Sequence, residues 1–204
     1  MSSNPIENDE IPRRPHLAAK ALETFERLAT GSKCYLEYGC GGSTIFAADE
    51  LDVASVVSVE SDPRWHHAVL NTVRRKPGPG FHLEHCDIGP VGNWGAPKDR
   101  GRIKDFWQYM FTPWEICRQN TLAPDFVFVD GRFRVASFLY SLICAAPDTA
   151  IMFDDYTERP NYHIVEKFCA LKSTAATAAI FCRPQELDIP EITATLARYS
   201  IIPE

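Results

Sequence analysis

Between residues 33 and 172 the chain alternates between two periodicities, and this constrains its fold more than any single motif. Short apolar or β-branched runs at 34–38, 53–60, 81–86, 126–129 and 150–153 alternate with stretches whose apolar residues recur at helical spacing. Such runs read as buried strands. Strands alternating with helices imply an α/β fold, a doubly wound, mostly parallel sheet with helices on both faces. Two later runs, 175–183 and 193–201, read as closing strands and bring the sheet to seven. The expected helices are 15–29, 43–50, 63–75, 106–120, 132–145 and 160–172. Asp62 and Pro63 cap and open the third, and Pro113 is expected to interrupt or restart the fourth.

In open sheets of this kind ligands bind outside the carboxyl ends of the strands. Here every central strand ends in an acid: Glu37, Glu60, Asp87, Asp130, and Asp154 followed by Asp155. Five carboxylates converging on one edge repel each other unless cationic or hydroxyl-bearing groups engage them. The first strand also runs into a glycine turn, Gly39-Cys40-Gly41-Gly42, and a helix opened by Ser43 and Thr44. Glycine permits positive φ and close approach of a ligand to the backbone. The free N–H groups of a helix start point at such a ligand.

At 204 residues the chain suits one domain with a full core, expected over 15–204 behind a flexible tail at 1–14. Its net charge of −6 argues against nucleic acid or an anionic membrane as partner. The acidic, polar N-terminus is unlike a secretory signal, and no apolar run approaches the roughly 18 to 20 residues that span a bilayer. A cytoplasmic location is therefore expected. The seven cysteines form no C-x-x-C pair. Cys34, Cys86, Cys144 and Cys182 lie in apolar contexts and read as reduced core residues, whereas Cys40, inside the glycine turn, is a candidate for exposure.

Residues 90–105 make a long irregular loop carrying Lys98, Arg100, Arg102 and Lys104. A loop of this length inside a domain is usually functional or mobile. Arg132 and Arg134 follow Asp130 at a helix start, where the dipole disfavours cations. These cations either grip an anionic group of a ligand or pair with the strand-end carboxylates. Trp94, Phe106, Trp107 and Tyr109 either wall the site or pack in the core.

The pattern E-x-G-x-G-G from Glu37 to Gly42, with the acidic strand ends through Asp154, resembles the class I S-adenosyl-L-methionine (SAM)-dependent methyltransferases over residues 33–155. The resemblance implies a Rossmann-like fold and SAM as cofactor. It places Glu37, Gly39, Cys40, Gly41 and Ser43 beneath the methionine and ribose parts, and Glu60 with Ser61 at the ribose. Asp87 and Ile88 fall at the adenine, and Asp130 near the sulfonium and the transferred methyl. A carboxylate accepts two O–H donors at once, which suits Glu60 to a ribose. The rival nicotinamide pattern, G-x-G-x-x-G, fails because its third glycine falls on Thr44.

Asp130 with Asp154 and Asp155 is similar to the metal site of the catechol O-methyltransferase group, although Asp155 stands where that group has Asn. This resemblance implies a divalent cation, Mg2+, on the three carboxylates, lowering the pKa of an acceptor hydroxyl. Asp130 and Asp154 are then the catalytic candidates. The alternatives are a solvated strand end with a helix cap, or a metal-free general base drawn from the carboxylates or His163. No N-P-P-Y-like motif follows the fourth strand, which counts against nucleobase amino methylation. The implied activity is O-methylation of a small-molecule or saccharide hydroxyl. Methyl transfer to nitrogen of a small molecule and a non-catalytic SAM-binding protein are the alternatives. The closing strands offer an edge for a homodimer.

Overall fold

The computed structural model describes residues 11–204. Its strands are Cys34–Tyr38 (β1), Ser55–Glu60 (β2), Phe81–His85 (β3), Phe126–Val129 (β4), Ala150–Phe153 (β5), Leu171–Ala175 (β6) and Ala178–Cys182 (β7). The α-helices are Ala19–Thr30 (α1), Gly42–Asp49 (α2), Pro63–Thr72 (α3), Trp107–Gln119 (α4), Arg134–Cys144 (α5) and Ile189–Tyr199 (α6). The strands form one sheet in the order β3-β2-β1-β4-β5-β7-β6. β1 to β5 run parallel, while β7 is antiparallel to both β5 and β6.

The order reverses between β1 and β4, and Tyr38 pairs with both Val59 and Val129. The carboxyl ends of β2, β1 and β4 therefore stop level, and a crevice opens where the connections diverge. All five residues of β1 are buried, as a central parallel strand requires. One face of the sheet packs against α1 to α3 through Phe25, Ile45, Phe46 and Val69. The other packs against α4 to α6 through Met110, Trp114, Phe138, Leu142 and Ile192. Asp62 caps α3 by accepting from the Arg64 N–H at 2.9 Å, with Pro63 at the first position, as expected.

Four expectations are corrected. The closing strands are instead a hairpin, β6 and β7, turned at Ala176 with φ 53°, followed by α6. Residues 193–199 are helical because Asp188 caps the segment, accepting from the Glu191 N–H at 3.1 Å. Ile192, Thr195 and Leu196 are buried at helical spacing. Pro160–Lys167 is a 3₁₀-helix that buries Tyr162 and Val165, three residues apart as that geometry prefers, and the chain then enters β6. Pro113 neither breaks nor restarts α4, which runs through it; the carbonyl it leaves without an N–H donor is that of Tyr109, and the next one, Met110, also accepts from the Tyr38 hydroxyl at 3.0 Å.

The tail is the fourth. Residues 1–10 lie outside the described ones, but 11–14 pack on the domain: Ile11 is buried, and Arg13 reaches Asp49 at 2.6 Å and the Thr72 carbonyl at 3.0 Å. All seven cysteines are free, yet Cys144 is exposed and Cys182 half-buried, while Cys40 is buried. Among the described residues no helix is long and apolar enough to cross a membrane.

Candidate functional site

At the carboxyl end of the sheet a cleft of about 620 Å³ is bordered by the glycine turn, Glu60, Trp65, Trp94, Tyr109 and the residues after β4 and β5. Its floor depends on two glycines. Gly39 has φ +90°, and a Cβ there would stand 2.8 Å from the Gly131 Cα. A Cβ on Gly131 would stand 1.9 Å from the Tyr109 hydroxyl oxygen. No other residue lets the turns after β1 and β4 close on each other in this way.

Beneath that floor Glu37 is fully buried, accepting from the hydroxyls of Ser43, Thr44 and Ser58. Burial pushes its carboxyl up to about 7, against those hydrogen bonds. It therefore anchors the start of α2 from below and does not border the cleft, contrary to its expected place against a cofactor. Glu60 does border it. Its Oε2 accepts from the Cys40 N–H at 3.1 Å, and its Oε1 from the N–H groups of Ser61 at 2.7 Å and Asp62 at 2.8 Å. Burial raises its pKa and these N–H groups oppose the rise. The carboxylate is thus fixed in one orientation with lone pairs left for a ligand.

Two segments without regular structure close over the cleft. The first is residues 12–17: a Cβ on Gly42 would lie 2.1 Å from the Arg14 carbonyl oxygen, so the strand-like approach of this segment requires glycine there. The second is the long loop, pinned where the Ser61 hydroxyl donates to the Gly95 carbonyl at 3.0 Å. Trp94 stacks on Trp65 with ring centroids 5.9 Å apart. Among the described residues the indole N–H of Trp65, a residue bordering the cleft, is buried with no partner. Among those residues, too, Arg102 alone of the four loop cations is engaged, pairing with Asp87 at 3.2 Å and with Asp105. Asp87 also accepts from the Gly89 N–H at 2.9 Å, lies exposed, and does not border the cleft. Ile88 turns into the core, and Ser61 lies behind Glu60. Phe106 is core, Trp107 is exposed outside the cleft, and His163 stacks on Tyr156 away from it.

The remaining wall is a charged cluster. One oxygen from each of Asp130, Asp154 and Asp155 lies within 4.8 Å of the others. Arg134, 3% exposed, holds them: its guanidinium reaches Asp130 at 3.1 Å, Asp155 at 3.2 Å and the Asp154 carbonyl at 2.8 Å, with Nε donating to the Gly131 carbonyl at 3.0 Å. Arg159 adds a second contact to Asp155 at 2.8 Å, and Thr177 donates to Asp154 at 3.3 Å. The oxygen donors alone suit a hard cation. Arg134 contacts two of these carboxylates, Asp130 and Asp155, and reaches Asp154 only at its backbone carbonyl, so a guanidinium's positive charge already lies beside the place where Mg2+ was expected on Asp130, Asp154 and Asp155.

Asp130 keeps 41% of its side chain open and borders the cleft. Scarce water there, with Asp154 and Asp155 beside it, pushes its pKa up to about 8 against the pull of Arg134. Burial raises Asp154 in the same direction. Gly39, Cys40, Gly41, Ser43, Glu60, Asp130, Asp154 and Asp155 are thus brought together as expected. The N-terminal segment and Gly131 were not read as site elements, although a glycine directly after a strand-end acid marks a close approach.

A methyltransferase-like protein from Silicibacter pomeroyi DSS-3 is 30% identical, over 94% of this chain and 100% of its own, with a TM-score of 0.79. The N-methyltransferase NodS from Bradyrhizobium japonicum WM9, solved with S-adenosyl-L-homocysteine (SAH), is 11% identical over 90% of this chain and 94% of its own, with a TM-score of 0.51, a likeness of fold alone. No protein-family model and no curated relative matches the sequence significantly. The chain belongs to the class I SAM-dependent methyltransferase family.

Proposed function

We propose that this protein binds SAM and transfers its methyl group to a hydroxyl oxygen of a small molecule or saccharide without a metal. The observation that carries the reading is Asp130: a carboxyl at the cleft floor, pushed up to about 8 and fixed by Arg134. A base with a pKa near neutrality is efficient at removing a proton during reaction.

The residues fit the cofactor. The cleft falls in the range of roughly 300 to 1,000 Å³ typical of small-molecule sites, and at Gly41, on its border, an added Cβ would meet only Trp65 at 3.9 Å, so the backbone there stays open to a ligand. The lone pairs of Glu60 suit paired ribose hydroxyls, and the partnerless Trp65 indole N–H offers a donor. Bound SAM supplies a methyl group on a positively charged sulfur, which needs no further activation. What the chain adds is placement and a proton acceptor. The Asp130 Oδ takes the proton from the acceptor hydroxyl, Arg134 stops the carboxylate rotating away, and residues 12–17 with Trp94 limit the entry of water.

Calorimetric titration with SAH tests the cofactor; a folded protein that does not bind it refutes the proposal. Methyl transfer across a panel of hydroxylated acceptors tests the chemistry. The rate is expected to rise with pH toward a plateau above about 8, to ignore chelators, and to fall about 100-fold or more in Asp130→Asn, within the range for loss of a general base. A rate that chelators abolish would count against the metal-free mechanism.

A further inference from the structure

We propose that the acceptor carries an anionic group, a carboxylate or phosphate, and that Arg132 binds it; this rests on the methyltransferase reading above. Four guanidiniums border the cleft. Arg134 is engaged by Asp130 and Asp155, Arg159 by Asp155, and Arg14 by Glu26 at 3.6 Å. Among the described residues Arg132 has no carboxylate within ion-pairing distance, and its Nε is buried with no hydrogen-bond partner. Its backbone alone is engaged: the N–H donates to the Tyr109 hydroxyl at 3.2 Å, and the carbonyl accepts from Ser137 at 3.2 Å. Burial and the neighbouring Arg134 charge both push its pKa down.

A guanidinium largely shielded from water, beside a like charge and meeting Asp130 and Glu204 only beyond ion-pairing distance is unfavourable in the free protein. An anion brought by a ligand removes that cost and meets a planar fork suited to carboxylate and phosphate oxygens. Arg132 stands two residues beyond Asp130, on the rigid entry to α5. An anion held there sets the rest of the acceptor against the Asp130 carboxyl, so Arg132 selects the substrate and orients its hydroxyl. The loop cations Lys98 and Arg100 do not border the cleft and take no part.

The competing source of an anion is the carboxylate of the cofactor itself, and the test separates the two. SAH-saturated protein is titrated calorimetrically with inorganic phosphate, with 4-hydroxybenzoate and with the uncharged methyl ester of that acid. The acid is expected to bind at least about tenfold more tightly than the ester, with phosphate competing. Arg132→Gln is expected to abolish the preference while leaving SAH affinity within about twofold, and Arg132→Lys to keep part of it. Equal binding of acid and ester, or binding of neither anion, overturns the proposal. A loss of about tenfold or more in SAH affinity in Arg132→Gln also overturns it, assigning the guanidinium to the cofactor. SAH is titrated first, so a wild-type protein that fails to bind it refutes the methyltransferase reading, and this proposal with it, before any anion is added.

Discussion

Replacing Arg134 by Met tests whether a guanidinium does the work of a cation at this site. The side chain is 4% exposed, and its removal strips hydrogen-bond donors from two carbonyls, Gly131 and Asp154, the counter-charge from Asp130 and one of the two guanidiniums on Asp155. Breaking a buried ion pair by deleting one partner costs about 3–5 kcal/mol, and each carbonyl left without a donor about 1–3 kcal/mol. These do not add, because the carboxyls can take up protons. A net loss of about 3–5 kcal/mol is expected near pH 8, lowering Tm by about 10 °C for a chain of this size.

The pH dependence has a definite sign. The Asp130 carboxyl titrates in the folded protein at about 8, above its ordinary 3.8. The folded form therefore holds its proton more tightly, and the stability this contributes is lost as pH rises from the lower value through the upper. Arg134 lowers that pKa, so its removal raises it further and steepens the loss. The destabilisation is expected to be smaller near pH 6 than near pH 8, by no more than about 0.4 kcal/mol for a carboxyl half-ionised near pH 8. Urea unfolding followed by tryptophan fluorescence, with and without millimolar magnesium, measures both. The wild-type midpoint is expected to ignore magnesium, whereas Arg134→Met, with three carboxylates exposed to each other, is expected to gain stability from it. A loss below about 1 kcal/mol, or a wild-type midpoint that rises with magnesium, would refute the reasoning.

Glu37→Gln should reverse a pH slope of the same kind. Glu37 titrates at about 7 when folded, so its stabilisation fades as pH rises through that value; the variant is expected to exceed the wild type by about 2–3 kcal/mol near pH 9 and to lose that advantage below about pH 5. Parallel stability curves for the two proteins would show that the buried carboxyl is not titrating. Gly42→Ala places a methyl against the Arg14 carbonyl, 2.1 Å away, and is expected to displace residues 11–14 with the sheet intact. Trypsin should then cut faster after Arg13 at an unchanged circular dichroism spectrum, and equal protection in both proteins would show that the segment adapts.

β1 to β5 were readable because each is a short apolar run closed by an acid, a signal carried by neighbouring residues. The closing elements were not, since 193–201 satisfies both periodicities and only the Asp188 cap and burial at helical spacing decide between them. Residues 11–14 carry no period at all; their anchors, Asp49 and Thr72, are far along the chain. The conflict between Arg134 and the helix dipole was visible, but its partner Asp155 comes within reach only because β4 and β5 are adjacent.

The five strand-end acids show most clearly where local reading stops. Glu60, Asp130 and Asp154 stand level in the sheet, Glu37 two residues short of them and Asp87 two past; Glu37 is sealed under the glycine turn, Glu60 is gripped by three backbone N–H groups, and Asp87 pairs with Arg102 in solvent. Asp130 and Asp154 border the cleft beside Arg134. Strand register places a carboxylate at the edge, but its proton and its partner depend on which glycine, hydroxyl or guanidinium the neighbouring strands deliver. The base role proposed for Asp130 depends on Gly131 and Gly39, which allow the two turns to close around it, and on the positive charge of Arg134 beside it. Asp87 meets neither condition. The reactive carboxyl is thus distinguished by the groups packed around it, and moving the acid to another strand end would not move the chemistry.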